Sequence, residues 1–179
     1  MNKNIDMNYL IKTLTSIIMV YLSINYSFAQ ATASATATAT IVTPISITKN
    51  IDMNFGNISV TSSGGTVILD PNGTRTKTGG ITLPIITGTV TAAQFTVSGQ
   101  GNYTYDITLP SSSVVLSSGA NSMNATSFTC SIGTTAGSLS AGSPGTQTFN
   151  VGATLAINAN QPSGSYTTAT PFNVTVNYN

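Results

Sequence analysis

Few side chains of this sequence could do acid–base or nucleophilic chemistry, because the chain has no histidine and no glutamate. The best candidates after residue 29 are three carboxylates and one thiol: Asp52, Asp70, Asp106 and Cys130. No two aspartates have the spacing of a catalytic dyad, and a reactive thiolate needs a basic neighbour that lowers its pKa. Cys130 lies in the alternating stretch SFTCSI, which favours a small buried apolar residue. The sequence therefore predicts no catalytic residue and no enzyme.

The stretch DPNGTR, residues 70–75, is rich in oxygen-bearing side chains, but it has one carboxylate where a calcium site prefers several. Turn chemistry explains it better, since Pro71 presets its φ angle and Gly73 tolerates a positive one. We therefore predict a tight turn here, and neither a metal site nor a cofactor site.

Charged residues make up 5% of the chain, against roughly 25% in ordinary soluble domains. Without a basic face there is little to attract nucleic acid, so no nucleic-acid partner is predicted. After residue 29 the basic and acidic residues are equal in number. A neutral surface does not repel copies of itself, which suits close association.

The N-terminal residues have the pattern of a secretory signal peptide. Two lysines precede the apolar run IIMVYL at residues 17–22, and small residues at Ser27 and Ala29 suit cleavage after Ala29, with Ala31 as the second choice. The run is too short for a membrane span, which needs about 20 residues. We therefore predict a signal peptide over residues 1–29, export through the periplasm, and no membrane span in the mature chain.

Beyond residue 29, short runs of alternating apolar and polar residues are separated by glycine, proline and asparagine, and no convincing helix occurs. In YTYDITL, for example, Tyr103 and Tyr105 share the parity of the apolar residues and are predicted to face the core. The preceding GQGN, residues 99–102, is predicted as a hairpin-type link. This pattern is typical of an all-β protein, and we predict one antiparallel β-sandwich over residues 44–179.

The stretch ATASATATAT, residues 31–40, alternates alanine with threonine or serine. A strand of this kind has a small apolar face that buries too little area to build its own core. It would suit a preformed groove, where backbone hydrogen bonds supply the affinity. A flexible stalk is the alternative. The predicted donor face, within an N-terminal segment 30–43, consists of Ala31, Ala33, Ala35, Ala37, Ala39 and Ile41.

The last residues, PFNVTVNYN, alternate as well, with Phe172, Val174, Val176 and Tyr178 on one face. In this the chain resembles bacterial pilus subunits of the chaperone–usher type. The resemblance implies an incomplete immunoglobulin-like sandwich, which the N-terminal strand of the next subunit completes, and a periplasmic chaperone as a further partner. It also implies a role for Gly164 as the family's glycine, although Gly164 lies further from the end than the family's pattern has it. The chain lacks the paired cysteines of many such subunits.

The chain is also similar to a bacterial family described as domain of unknown function 4402. The resemblance extends over residues 31–179 and implies, by pattern, a link to Mat/Ecp-type fimbrial major subunits. It therefore implies a location at the cell surface or outside the cell, in a fimbrium. It rests on the stretches ATATATIVTPISIT, NFGNI, VILDPNGTRTKTGG, FTVSGQGNYTYDITLP, NVGATLAINANQPSGSYT and FNVTVNYN.

Two functions remain open at this point. The first is a secreted structural surface protein, pilin-like, that associates with itself or with another pilin-like subunit by β-strand addition and serves adhesion. The second is a monomeric secreted module that binds carbohydrate or protein, with residues 31–42 folded into its own sandwich. For sugar stacking, Tyr166 is the best candidate for an exposed ring. Both functions predict the same alternation, so the sequence does not decide between them.

Overall fold

The computed structural model describes residues 6–22 and 29–179 of the chain. It has two compact units, one that ends at Thr40 and one that runs from Ile41 to Asn179. The first contains the helix α1, Met7–Leu22, and the second contains all of the strands that the structure describes.

The first unit includes the predicted signal peptide and most of the predicted donor segment. Residues 29–40 are exposed and lie in no helix or strand. No described helix is both long enough and apolar enough to cross a membrane. Part of the predicted cleavage region, including Ser27, falls in residues 23–28, outside the described residues, so the signal peptide stays a prediction.

The second unit consists of strands joined by turns, as its alternating apolar pattern predicts. Each pair of neighbouring strands is antiparallel. The described strands are β1 Ser46–Ile51, β2 Ser59–Val60, β3 Gly65–Leu69, β4 Arg75–Lys77, β5 Ile81–Thr82, β6 Ala93–Gly99, β7 Thr104–Thr108, β8 Val114–Ser118, β9 Asn121–Cys130, β10 Gly137–Ser138, β11 Gly145–Ile157, β12 Thr167–Thr168 and β13 Thr175–Tyr178.

A large sheet has the strand order β1-β6-β11-β9-β8-β12, and β3 and β4 extend it beside β11. The long strand β11 pairs with β6 through residues 145–151 and with β3 through residues 153–157. A second sheet has the order β10-β7-β13, and β2 pairs with β5. Apolar side chains of the large and second sheets pack together in one cluster. The protein is therefore an all-β sandwich, as predicted.

Alternation predicts most of the buried side chains. Val67 and Leu69 of β3, which precede the DPNG turn, are fully buried, as is Tyr105 of β7. The prediction for Tyr103 is wrong, because this residue precedes β7 and is 43% exposed. The predicted turn is confirmed by the φ of 87° at Gly73.

The link at residues 99–102 is not a hairpin. Its flanking strands never pair with each other, since β6 lies between β1 and β11 whereas β7 lies between β10 and β13. The link instead carries the chain from one sheet to the other. Its turn residues indicate that the chain reverses, but they carry no information on the partner of each strand.

The inward face of β9 changes parity at Ser127, which has a φ of 49°. Met123 and Ala125 belong to the core before this point, and Phe128 and Cys130 pack against the core after it. The pairing of β9 with β11 shifts register at the same place. These features define a β-bulge, which inserts one extra residue and re-aims the side chains that follow.

Candidate strand-addition site

Among the described residues, β1 and β13 each pair with a neighbour on one side only. The two strands lie next to each other without pairing. The amide of Ile107 in β7 donates to Thr134 on the side away from β13, so the ladder to β13 uses Asp106 and Thr108. The N–H and C=O groups of Val176 therefore point away from β7, toward the open edge of β13.

The chain that leads into β13 is also unpaired. Among the described residues, no backbone–backbone hydrogen bond outside the strand ladders involves residues 169–174. The apolar side chains of this segment, Phe172 and Val174, are half-buried against the core. Unpaired backbone groups beside an apolar surface are what an added strand needs.

An open cleft of about 1140 Å³ lies beside this segment. Its floor includes Ile47 of β1, Phe95 of β6 and Leu155 of β11. Its sides are residues 52–60, termed the first wall, and residues 161–168 and 171–174. The whole segment 161–174 is termed the second wall. These three floor residues are apolar, and the lining also includes the exposed ion pair of Lys49 and Asp52.

The first wall is held by hydrogen bonds to neighbouring elements. Asn54 exchanges two backbone hydrogen bonds with Thr91, at 2.8 and 3.0 Å. The Arg75 guanidinium donates from Nη1 to the carbonyl oxygens of Phe55 and Asn57, the second at 3.0 Å. These bonds satisfy backbone groups of the first wall and fix its position.

The second wall pairs with β8 through β12, and its later part, residues 169–174, is held by side chains. Phe172 packs against Phe128 with ring centroids 5.1 Å apart, and against Phe95 at 6.5 Å. Tyr166, predicted as an exposed ring, is half-buried, and its hydroxyl donates to the Pro162 carbonyl at 2.8 Å. The aromatic contacts position the segment while its backbone stays unpaired at residues 169–174.

Beyond the cleft lies a cluster of hydrogen bonds termed the Tyr178 clamp, formed by Tyr178, Thr43 and Gln100. The Tyr178 hydroxyl donates to the Thr43 carbonyl at 2.7 Å and accepts the Gln100 amide at 2.6 Å. The Thr43 amide donates to Oε1 of Gln100 at 3.2 Å. Gly99 leaves room for the hydroxyl, since a Cβ at that position would lie 2.2 Å from it. The clamp ties β13 to the end of β6 and to the chain before β1.

The predicted donor residues lie in no strand of the structure. The five alanines of the donor face, Ala31 to Ala39, are exposed. Ile41, which follows them, is 98% exposed, an unusual state for a large apolar side chain. Their insertion into a cleft stays a prediction.

The structure brings most of the predicted C-terminal motif together. Val176 is 8% exposed, and Phe172, Val174 and Tyr178 pack against the same core cluster. Gly164 lies elsewhere, in the loop before β12, where a Cβ would approach Ser118 Oγ to 2.7 Å. It lines the cleft without belonging to the alternating run.

Sequence reasoning missed three residues of the site: Arg75, Gln100 and Gly99. Arg75 reaches the first wall across 20 positions to Phe55, and Gln100 meets Tyr178 across 78 positions. Local patterns of residue type carry no signal for contacts of this range.

The three aspartates make local contacts and stay apart. Asp52 forms an exposed ion pair with Lys49 at 2.6 Å, and Asp70 accepts the amide of Asn72 within the predicted turn. Asp106 accepts the amide of Ala136. Within residues 6–22 and 29–179, no group of three cysteine or acidic residues could hold a metal ion.

The buried titratable groups are held neutral. Burial raises the pKa of the half-buried Cys130 thiol and raises the pKa of Tyr105 to about 12. The Tyr105 hydroxyl donates to Oε1 of Gln147 at 2.8 Å. A raised pKa is the opposite of what activates a thiol as a nucleophile. Cys130 and Tyr105 therefore contribute packing, and Tyr105 also contributes a hydrogen bond to Gln147.

Comparison with known proteins gives one match. Residues 45–178, well over half of the chain, match the family model described as Domain of unknown function (DUF4402). No curated protein and no solved structure matches the chain.

Proposed function

This chain belongs to the Domain of unknown function (DUF4402) family, and we propose that it is a secreted structural surface protein that assembles by β-strand addition, as pilus subunits do. In this proposal, residues 31–41 of one copy lie in the cleft of the next copy. The observation that carries it is the unpaired backbone of residues 169–174 beside a cleft with apolar residues in its floor. The same chain carries an alternating segment that lies in no strand.

The proposed donor segment is long enough for one strand and carries no charge. The ten residues from Ala31 to Thr40 span roughly 33 Å as a strand, at about 3.3 Å per residue. Their alanines would face the apolar floor and their hydroxyl groups would face solvent. No charged residue occurs between residues 30 and 48, so insertion would bury no charge of the donor, and burying a charge is costly.

An empty cleft with an open strand edge is a hazard, because it invites pairing with unrelated chains. We therefore also propose a periplasmic chaperone that covers the cleft before assembly. The proposed location is a fimbrium at the cell surface, reached through the periplasm, and adhesion is the proposed use. The predicted signal peptide and the family-level resemblance support this location.

The test compares residues 30–179 with residues 43–179, which lack the donor but keep Thr43 and its clamp. We expect the longer chain to form oligomers in size-exclusion chromatography with light scattering, and the shorter chain to stay monomeric. A peptide of residues 31–42 should raise the thermal stability of the shorter chain. A peptide of the same composition with its alternation scrambled is the matched control.

A stable monomer of residues 30–179 that merely unfolds on truncation would overturn the proposal. The alternating segment would then complete its own sandwich. The monomeric carbohydrate- or protein-binding module would become the function to test, beginning with a glycan screen.

A further inference from the structure

We propose that the Tyr178 clamp couples the two ends of one subunit: the donor segment that leaves at Thr43, and the cleft that accepts a partner's donor. This inference rests on the proposed function, since it assigns Tyr178 as a positioning residue for strand addition between copies of this chain.

The clamp joins the two ends directly. Tyr178 belongs to β13, the strand whose open edge continues the second wall of the cleft. Its hydroxyl reaches the carbonyl of Thr43, 135 positions earlier in the chain. Ile41 is almost fully exposed, whereas both backbone groups of Thr43 are hydrogen-bonded. Thr43 is thus the point where the donor segment joins the sandwich. A force that pulls on the donor would be transmitted to β13 through the hydrogen bond between Thr43 and Tyr178.

The coupling follows from how weakly β13 is held. This strand has four residues and a ladder on one side only, so its Tyr178 end can fray locally at low cost in free energy while Val176 stays in the core. A partner's donor that pairs with the open edge would suppress this opening. Tyr178 would then stay in place, and its bonds to Thr43 and Gln100 would persist.

Linkage makes the effect reciprocal. If an occupied cleft stabilises the clamp, an intact clamp must raise the affinity of the cleft by the same factor. A subunit that has accepted a donor would therefore hold the base of its own donor more firmly, which suits a filament under tension.

The experiment uses the chain from residue 30 to 179 with Ala35→Asp and Ala37→Asp, so that its own donor cannot fill a cleft. A peptide of residues 31–42 is added, and its Kd is measured by fluorescence anisotropy. Hydrogen exchange is followed at the amides of Thr43 and Gln100. We expect the peptide to slow hydrogen exchange at both amides by about two- to tenfold, which is the effect of one net hydrogen bond.

Three further substitutions separate the clamp from general stability. Tyr178→Phe keeps the ring and removes the hydroxyl, and should weaken peptide binding by about two- to tenfold while abolishing the response at Gln100. Gln100→Ala should act in the same direction. Tyr103→Phe is the matched control, because the Tyr103 ring packs on Tyr178 at 5.6 Å while its hydroxyl makes none of the described hydrogen bonds. It should behave as the parent chain.

The outcomes distinguish this inference from the proposed function. Equal peptide affinity in the parent and Tyr178→Phe chains, with exchange at Thr43 unchanged by the peptide, would overturn the coupling and leave strand addition standing. Failure of the peptide to bind any variant would instead overturn strand addition, and the coupling with it.

Discussion

Two segments of this chain alternate with period two, residues 31–40 and residues 172–178, yet only the second contains a strand. The difference lies in side-chain size. Ordering a residue costs about 1–2 kcal/mol in backbone entropy, and burial returns about 25 cal/mol per Å² of apolar area. Phenylalanine, valine and tyrosine offset that cost, whereas alanine does not. Alternation therefore sets which face of a strand is apolar, and side-chain size decides whether the strand can fold without a partner.

The two walls of the cleft differ in a related way. The first wall has its backbone groups engaged by Thr91 and Arg75, while the second pairs with β8 through β12 and leaves the backbone of residues 169–174 unpaired, in a segment that Phe172 positions. An added strand can pair only where donors and acceptors are free. The second wall is thus the one suited to accept it.

The largest effect is expected when the C-terminal segment loses its apolar face. Val176→Asp should lower the free energy of unfolding by about 4 kcal/mol or more, because a carboxyl group would enter the core without a partner. Thr175→Asp, at the exposed neighbouring position, should stay within about 0.5 kcal/mol of the parent. Urea unfolding followed by tyrosine fluorescence measures both. Similar midpoints for the two variants would show that this segment contributes as little as the N-terminal one.

Alkaline pH should lower the free energy of unfolding of the sandwich and leave the exposed N-terminal segment unchanged. Tyr105, in the strand that pairs with β13, has its pKa raised to about 12 by burial, above the ordinary value near 10. The folded state thus favours the neutral phenol, so the stabilisation is complete below about pH 10 and is lost as pH rises through about 12, by up to about 2–3 kcal/mol. The raised pKa of Cys130 acts with the same sign, beginning at lower pH.

Urea unfolding at pH 8 and pH 11 measures this loss. The Tyr105→Phe chain, which shares every other titratable group, should lose less stability between the two values. An identical loss in both chains would assign the effect to the other tyrosines and lysines.

A smaller effect is expected from loosening the first wall. Arg75→Gln removes the cation that donates to Phe55 and Asn57, and should cost about 1–2 kcal/mol, toward the low end for charged hydrogen bonds because Arg75 is half-exposed. Arg75→Lys keeps the charge but lacks the planar guanidinium, and its stability should lie between those of the parent chain and Arg75→Gln. Urea midpoints test the order. If all three chains are equally stable, the first wall is held without Arg75.

The smallest effect on stability is expected from a charge in the donor segment, and the same change should abolish assembly. Ala35→Asp should change the free energy of unfolding by less than about 0.5 kcal/mol, since this residue is exposed, but it should abolish oligomers by charging the donor's apolar face. Thr36→Asp places the same charge on the hydroxyl face and should leave the oligomers intact. Light scattering at equal concentration separates them. A flexible stalk would make the two variants indistinguishable.

The alternating pattern predicted much of the fold. It identified the inward faces of β3 and β7, and the turn chemistry at Asp70 to Gly73 is confirmed. It misplaced Tyr103 and took residues 99–102 for a hairpin, because a local pattern carries no information on where a strand begins or which strand it pairs with. For the candidate site, it identified the C-terminal motif but neither the cleft nor the residues that hold its walls.

The sequence by itself determined the class of fold and the apolar face of most strands, because both follow from the period of side chains over a few residues. Only the tertiary structure decided the bulge at Ser127, the unpaired backbone before β13 and the clamp between Tyr178 and Thr43. Each of these depends on which distant segments meet. That outcome is set by packing across the whole sandwich, and no stretch of residues records it alone.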